Sequence, residues 1–246
     1  MEQAIGIIGA GEMGTCLALK LVRLGYTVSL ANSRGPASLK QIAEEIGTEA
    51  LTVAETINTK QVIIVAIPEK NVPLLPKFLF KDLSRDVVVI DTGNFYPTLR
   101  DGAIPALEQH GTDSLWVQEQ LGVPVVKVFN SILATSLQKL GRARGEKDRI
   151  ALAVSGDDVA AKKVVLKLVD ELGFDPCDLG PIAESWRQQP GSPIYCRDIN
   201  LEELKRRLDI MKTAGRDLHN NIITKRKADE ALMASDYPAY LKNLKD

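Results

Sequence analysis

Three glycines and an arginine are the residues of this chain whose types and spacing point to chemistry. Gly9, Gly11 and Gly14 form a G-x-G-x-x-G within "IGIIGAGEMG", with Ala10, Glu12 and Met13 between them. In that spacing the first glycine permits a tight turn, the second lets a pyrophosphate approach the backbone, and the third lets a helix pack closely on the preceding strand. A helix that starts there offers free N–H groups and the positive end of its dipole to phosphate. Folds of this kind ordinarily place an acid about 20 residues later to hold a ribose hydroxyl. This chain has Asn32, Ser33 and Arg34 instead. An acid there would repel a 2′-phosphate, whereas a hydroxyl and a guanidinium bind it, the latter through charge-assisted hydrogen bonds. NADP(H) is therefore the expected cofactor, with Ser38 supplying a further hydroxyl.

The elements that must hold these residues follow from the apolar pattern. Ala4–Ile8 and Thr27–Ala31 read as buried strands, with a helix between them whose apolar face carries Leu17, Ala18, Leu21 and Leu24 and which ends at Gly25. Pro36 suits the first turn of the next helix. "QVIIVAIP" and "DVVVIDTGN" are β-branched runs closed by Pro and by Gly-Asn, and "VVKVFNS" repeats the pattern. After the charged "GRARGEKD", "RIALAVSGDD" and "GFDPCDLG" read as two more strands around a helix at 160–172. Strand alternating with helix predicts an α/β fold, a Rossmann-like doubly wound and mainly parallel sheet of about eight strands. Residues 1–180 make up this dinucleotide-binding domain. Residues 181–246 form a linker and a helical C-terminal extension, opened by the polar "ESWRQQPGSPIYCRD" and an Asn200–Glu203 helix start.

Composition excludes several classes of partner. A formal net charge of -1 over 246 residues gives no bulk attraction to nucleic acid or to an acidic membrane. The Lys-Arg clusters of the tail are balanced by nearby acids and read as a solvated helix face. Cys16, Cys177 and Cys196 have no metal-finger or disulfide spacing, so no metal is expected and a reducing cytoplasm fits. No leader or membrane span is predicted.

"GIIGAGEMGTCLALKLVRLGYTVSLANSRGPASL", "VVKVFNSI" and "SGDDVAAKKVVLKLVDELGFDPCDLGP" together resemble the NADP-dependent coenzyme F420 reductase family, whose fold recurs in the cytoplasmic domain of eukaryotic transmembrane metalloreductases. The resemblance covers most of residues 3–182. It implies a reductase that passes hydride between NADP(H) and a small redox acceptor, with F420 or a flavin as second substrate. Carried over by position, residues 9–14 hold the pyrophosphate, and Ser33, Arg34 and Ser38 hold the 2′-phosphate. Ala66, Ile67 and Pro68 border the dinucleotide, and Asn130, Ser131 and Ala134 border the nicotinamide. This sequence departs from the archaeal pattern in having Asn130 where a histidine is expected, so contacts to a deazaflavin do not transfer directly.

Asn94, Tyr96 and Arg100, in the polar stretch after the fifth strand, are candidates for the acceptor wall. Trp186 and Arg187 fit an interface or a stacking position. The two histidines, His110 and His219, stand where neither is expected to face the nicotinamide, so placement of the reactants rather than a titrating side chain should carry catalysis. The Leu201, Leu204, Leu208, Met211 stripe predicts a homodimer in which the tail covers a partner. The alternative function is a non-catalytic NADPH-sensing or partner-binding module.

Overall fold

The computed structural model describes residues 4–58 and 60–245, apart from the side chains of His110 and Arg216. Eight strands form one sheet: β1 (Ala4–Ile8), β2 (Thr27–Ala31), β3 (Glu49–Ala50), β4 (Val62–Val65), β5 (Val88–Asp91), β6 (Val126–Lys127), β7 (Ala151–Ser155) and β8 (Asp175–Gly180). Their order is β3-β2-β1-β4-β5-β6-β7-β8. All neighbours pair in parallel except β6 and β7, which meet antiparallel at Lys127 and Ser155. The first six strands thus follow the order of a dinucleotide-binding fold, with a topological switch between β1 and β4.

Both faces are buried, which is why the strands are apolar without alternation. Val62 and Ile64 of β4 join the core that holds Leu17 and Leu21 of α1 (Glu12–Arg23), while Ile63 and Val65 join the opposite core with Trp116 and Val117 of α6 (Asp113–Leu121). Between them lie α2 (Lys40–Ile46), α3 (Val53–Asn58), α4 (Lys77–Lys81) and α5 (Pro105–His110); α7 (Ala134–Lys139) and α8 (Val159–Glu171) follow α6. Asp158 caps α8 by accepting from the Ala161 N–H at 2.9 Å.

The C-terminal extension differs from its sequence expectation in two respects. α9 (Leu201–Ser235) begins as expected, with Asn200 accepting from the Glu203 N–H at 3.0 Å, and breaks at Gly215, whose φ of 60° and ψ of -146° lie outside the helical region. Leu204, Leu208 and Met211 then bury themselves against Ala151, Ala153, Cys177 and Leu179 of their own chain. The stripe that suggested a homodimer is therefore buried within the chain itself. The second difference is the polar stretch at 184–198, which is no open linker. A 3₁₀ helix at Ile182–Gln188 leads into a buried turn in which Gln188, Gln189, Ser192 and Tyr195 are all nearly inaccessible. α10 (Tyr237–Asn243) closes the chain against Tyr195 and Cys196.

Candidate functional site

The glycine turn between β1 and α1 shows a separate reason for each glycine. A Cβ on Gly9, whose φ is +118°, would lie 2.1 Å from the Ala66 carbonyl oxygen, and one on Gly14 would lie 1.9 Å from that of Gly9. These two glycines let β1, β4 and α1 converge. Gly11 is different, because a Cβ there would meet nothing within 4 Å. Its bare backbone faces open space, where a ligand can approach it.

That space is a cavity of about 590 Å³ at the carboxyl ends of β1, β2 and β4. Gly9, Ala10 and Gly11 line it on one side, Asn32, Ser33 and Arg34 on a second, and Ala66, Ile67 and Pro68 on a third, with Asn71, Leu74, Leu75 and Pro76 at the rim. The topological switch is where open α/β sheets bind ligands. Asn32 shapes the β2 end: its Oδ1 accepts from the Arg34 N–H at 2.9 Å, and its Nδ2 donates to Ser38 Oγ at 2.9 Å. Ser38 thus braces the loop rather than lining the cavity. Arg34 is exposed and makes no ion pair among the described residues, which leaves its guanidinium free for an anion.

Other expected site residues lie elsewhere. Glu12 and Ala134 border a separate groove between α1 and α7, and Met13 packs against the core. Asn130, Ser131 and Ala134 form the turn from β6 into α7, yet none of them lines the cavity. The Asn130 amide is buried and donates to Asn94 Oδ1 at 3.2 Å and to the Gln188 carbonyl at 2.7 Å; Asn94 donates back to the Asn130 carbonyl at 2.9 Å. The Ser131 carbonyl accepts from the Cys196 N–H at 2.9 Å.

Beneath this turn runs a polar layer that the sequence reading missed. Lys127 Nζ donates to Asp91 Oδ2 at 2.9 Å and to the Gly93 carbonyl at 2.5 Å, and Ser114 Oγ donates to the same carboxylate at 2.8 Å. Asp113 accepts from Arg226 Nη1 at 3.2 Å, with Gln189 Oε1 holding the Asp113 N–H at 2.8 Å. Glu230, wholly buried, accepts from Thr98 Oγ1 at 2.6 Å and from the N–H groups of Thr98 and Leu99 at 2.8 and 2.9 Å. His219, Ile222, Arg226 and Glu230 share one face of α9, so the tail is pinned over the loops that follow β5. Tyr96 meets Tyr195 hydroxyl to hydroxyl, and Arg100 donates to the Asn94 carbonyl.

His219 has a structural part: Nε2 donates to the Gly111 carbonyl at 2.7 Å, and the ring stacks on Trp186 with centroids 4.7 Å apart. Trp186 therefore packs within its own chain. The side chain of His110 lies outside the described residues.

Glu69 is the other residue that sequence reasoning passed over. It follows Pro68 directly, has no exposed surface, and neither carboxyl oxygen has a hydrogen-bond partner. Burial raises its pKa well above the usual carboxylate range, with Asp91 and Asp113 adding to the rise and Lys127 and Arg100 opposing it. An acid whose folded pKa is raised contributes stability that is fully present below its unfolded pKa and is lost as pH rises through the folded one. Glu69→Gln should therefore change little near pH 4 and raise the melting temperature increasingly between pH 5 and 8, by up to about 1.4 kcal/mol of stability per pH unit. Thermal melts of both proteins across that range check this; parallel curves would contradict it.

Residues 4–95 match the family described as "NADP oxidoreductase coenzyme F420-dependent". The match covers the strands and the glycine turn that build the cavity. A structure of a proposed F420-dependent NADP-reductase from Arthrobacter sp. FB24 superposes on this chain with a TM-score of 0.61 and 27% identity, covering 75% of this chain and 90% of that one. YjhV of Escherichia coli K12 is 47% identical over 68 residues, which are 28% of this chain and 50% of YjhV. Rat metalloreductase STEAP3 is 26% identical over 182 residues, 74% of this chain and 34% of STEAP3. The chain thus spans half of one curated relative and about a third of the other. No described helix of the chain is long and apolar enough to cross a membrane, and no described cluster of His, Cys, Asp or Glu could hold a metal ion.

Proposed function

We propose that the cavity between β1, β2 and β4 binds NADP(H) and that the protein is a reductase delivering hydride from NADPH to a small acceptor held near the carboxyl ends of β5 and β6. The observation that carries the cofactor choice is the free Arg34 beside Ser33, facing the same cavity as the bare backbone of Gly11. Ser33 and Arg34 take the 2′-phosphate, and the N–H groups at the start of α1 take the pyrophosphate. NADPH supplies the hydride when bound. What the chain itself contributes is placement: Asn94 and Asn130 fix one turn against the other, and Glu230 holds the 97–101 turn under α9.

The match to the F420-dependent family model and the resemblance to metal-reducing relatives favour a flavin-like or deazaflavin hydride acceptor, or a metal chelate of which two ferric ions take the two electrons while the proton passes to water, over a carbonyl compound. His219 is committed to a carbonyl and to Trp186, so it is no proton donor for a substrate. Absorbance at 340 nm should fall when enzyme and NADPH meet at least one of F420, FMN or a ferric chelate, and His219→Ala should leave the pH dependence of that rate unchanged. Loss of the pH dependence in His219→Ala would instead point to carbonyl or imine reduction.

A further inference from the structure

Glu69 is wholly buried beside the nucleotide cavity's Pro68, and neither of its carboxyl oxygens has a hydrogen-bond partner. Its carboxyl is seated against Gly93, where a Cβ would lie 2.4 Å from Oε1 and 2.5 Å from Oε2. No side chain larger than hydrogen fits beside it. The residue before it, Pro68, lines the nucleotide cavity, and Gly93 opens the loop after β5. A buried carboxyl ordinarily has donors around it, because an unmet one costs roughly 1–3 kcal/mol. Glu69 has none, so nothing in the fold repays its presence.

Its position along the cleft suggests what does. The 2′-phosphate side of the cavity is at β2, with Ser33 and Arg34; a dinucleotide lying across the switch point extends from there past β1 toward β4 and β5. Pro68 lines the β4 side of the cavity, toward which the nicotinamide would extend, and the wholly buried Glu69 is the next residue along the chain. The oxidised ring carries a positive charge and the reduced ring none. In a desolvated setting, charges several ångströms apart interact strongly without touching.

Resting on the proposed cofactor, we infer that Glu69 is a proton-binding site tied to the redox state of the nucleotide, releasing its proton when NADP⁺ is bound and retaining it when NADPH is bound. Four charged groups face it: Asp91 from β5, Lys127 from β6, Asp113 from α6 and Arg100 from the 97–101 turn. Burial and the two acids hold its proton on, Lys127 and Arg100 oppose them, and an added positive charge nearby shifts the balance toward release. The stoichiometry closes. Hydride carries one proton and two electrons from C4 of NADPH to an organic acceptor such as a flavin or deazaflavin, leaving NADP⁺ and an acceptor anion that still lacks one proton. Glu69 gives one proton to the solvent pool from which that anion is protonated, and regains it when NADP⁺ leaves. Glu69 is thus a specificity residue for the oxidised nucleotide, acting by charge rather than contact.

Calorimetric titration of the full chain with NADP⁺ and with NADPH, each in cacodylate and in Tris at the same pH, counts protons released on binding. NADP⁺ should release more than NADPH. The ratio of NADP⁺ to NADPH affinity should rise with pH by up to about tenfold per unit within the window where Glu69 titrates, while the 2′-phosphate, common to both, cancels. In Glu69→Gln the extra proton and the slope of the ratio should vanish with both nucleotides still bound. Equal proton counts for the two nucleotides in the unsubstituted protein would overturn the inference, as would a Glu69→Gln variant that keeps the difference. Failure of either nucleotide to bind at all would instead overturn the cofactor proposal, and this inference with it.

Discussion

Arg34→Ala should abolish most of the preference for NADPH over NADH, which in the unsubstituted protein should be at least about tenfold, or 1.4 kcal/mol. The expectation rests on three features of the β2 end. No acid stands there to oppose a 2′-phosphate; Asn32 spends its side chain on the loop, accepting from the Arg34 N–H and donating to Ser38; and the guanidinium itself is exposed and unpaired among the described residues. A charge-assisted contact of this kind is stronger than a neutral one and exists only for the phosphorylated cofactor. Arg34→Ala should leave NADH affinity nearly unchanged, since nothing else in the cavity is disturbed. Equal affinities for the two cofactors before substitution, measured by calorimetry, would remove the basis for the assignment.

The second large effect concerns the tail. Arg226 and Asp113 are both almost inaccessible, pair at 3.2 Å, and join α9 to the start of α6 across 113 residues of sequence. Arg226→Leu leaves Asp113 buried without its partner, and breaking a buried pair on one side costs about 3–5 kcal/mol. It also removes the guanidinium from the face of Phe95. Urea denaturation should show this loss, and Arg226→Leu combined with Asp113→Asn should recover part of it because the uncompensated charge is gone. A loss below about 1 kcal/mol would mean that α9 is not anchored to the core as the geometry indicates.

The fold was legible in the sequence where burial and composition agree. Strands such as β4 are apolar on both faces, the glycine turn carries its own spacing, and Asp158 and Asn200 announce the helices they cap. The Ser33–Arg34 side of the cavity was legible for a related reason, because the ends of β1 and β2 lie at fixed offsets from that glycine turn. Legibility failed where polar residues are buried by partners far away in the chain. Gln188 and Gln189 read as linker because their partners, Lys127, Gly111 and Asp113, are 61 to 78 residues distant. The Leu204–Met211 stripe was assigned to a second subunit because nothing local shows that β7 and β8 leave a face uncovered. Nothing local marks Glu69, an acid after a proline at a helix start; only the missing side chain of Gly93, 24 residues later, lets it turn inward, and a glycine in "DTGN" reads first as a turn.

The central claim, that this cavity holds NADPH and the protein passes its hydride onward, is tested most directly by a single turnover with NADPH deuterated stereospecifically at C4. Enzyme loaded with each of the two stereoisomers is mixed in a stopped-flow instrument with the acceptor panel, and the fate of the label is read by mass spectrometry. The account predicts that one stereoisomer reacts with a primary isotope effect and yields NADP⁺ free of deuterium, whereas the other reacts at nearly the undeuterated rate and yields NADP⁺ that retains it. NADPH that binds tightly yet is oxidised by none of the acceptors, or is oxidised with no isotope effect from either stereoisomer, would contradict it.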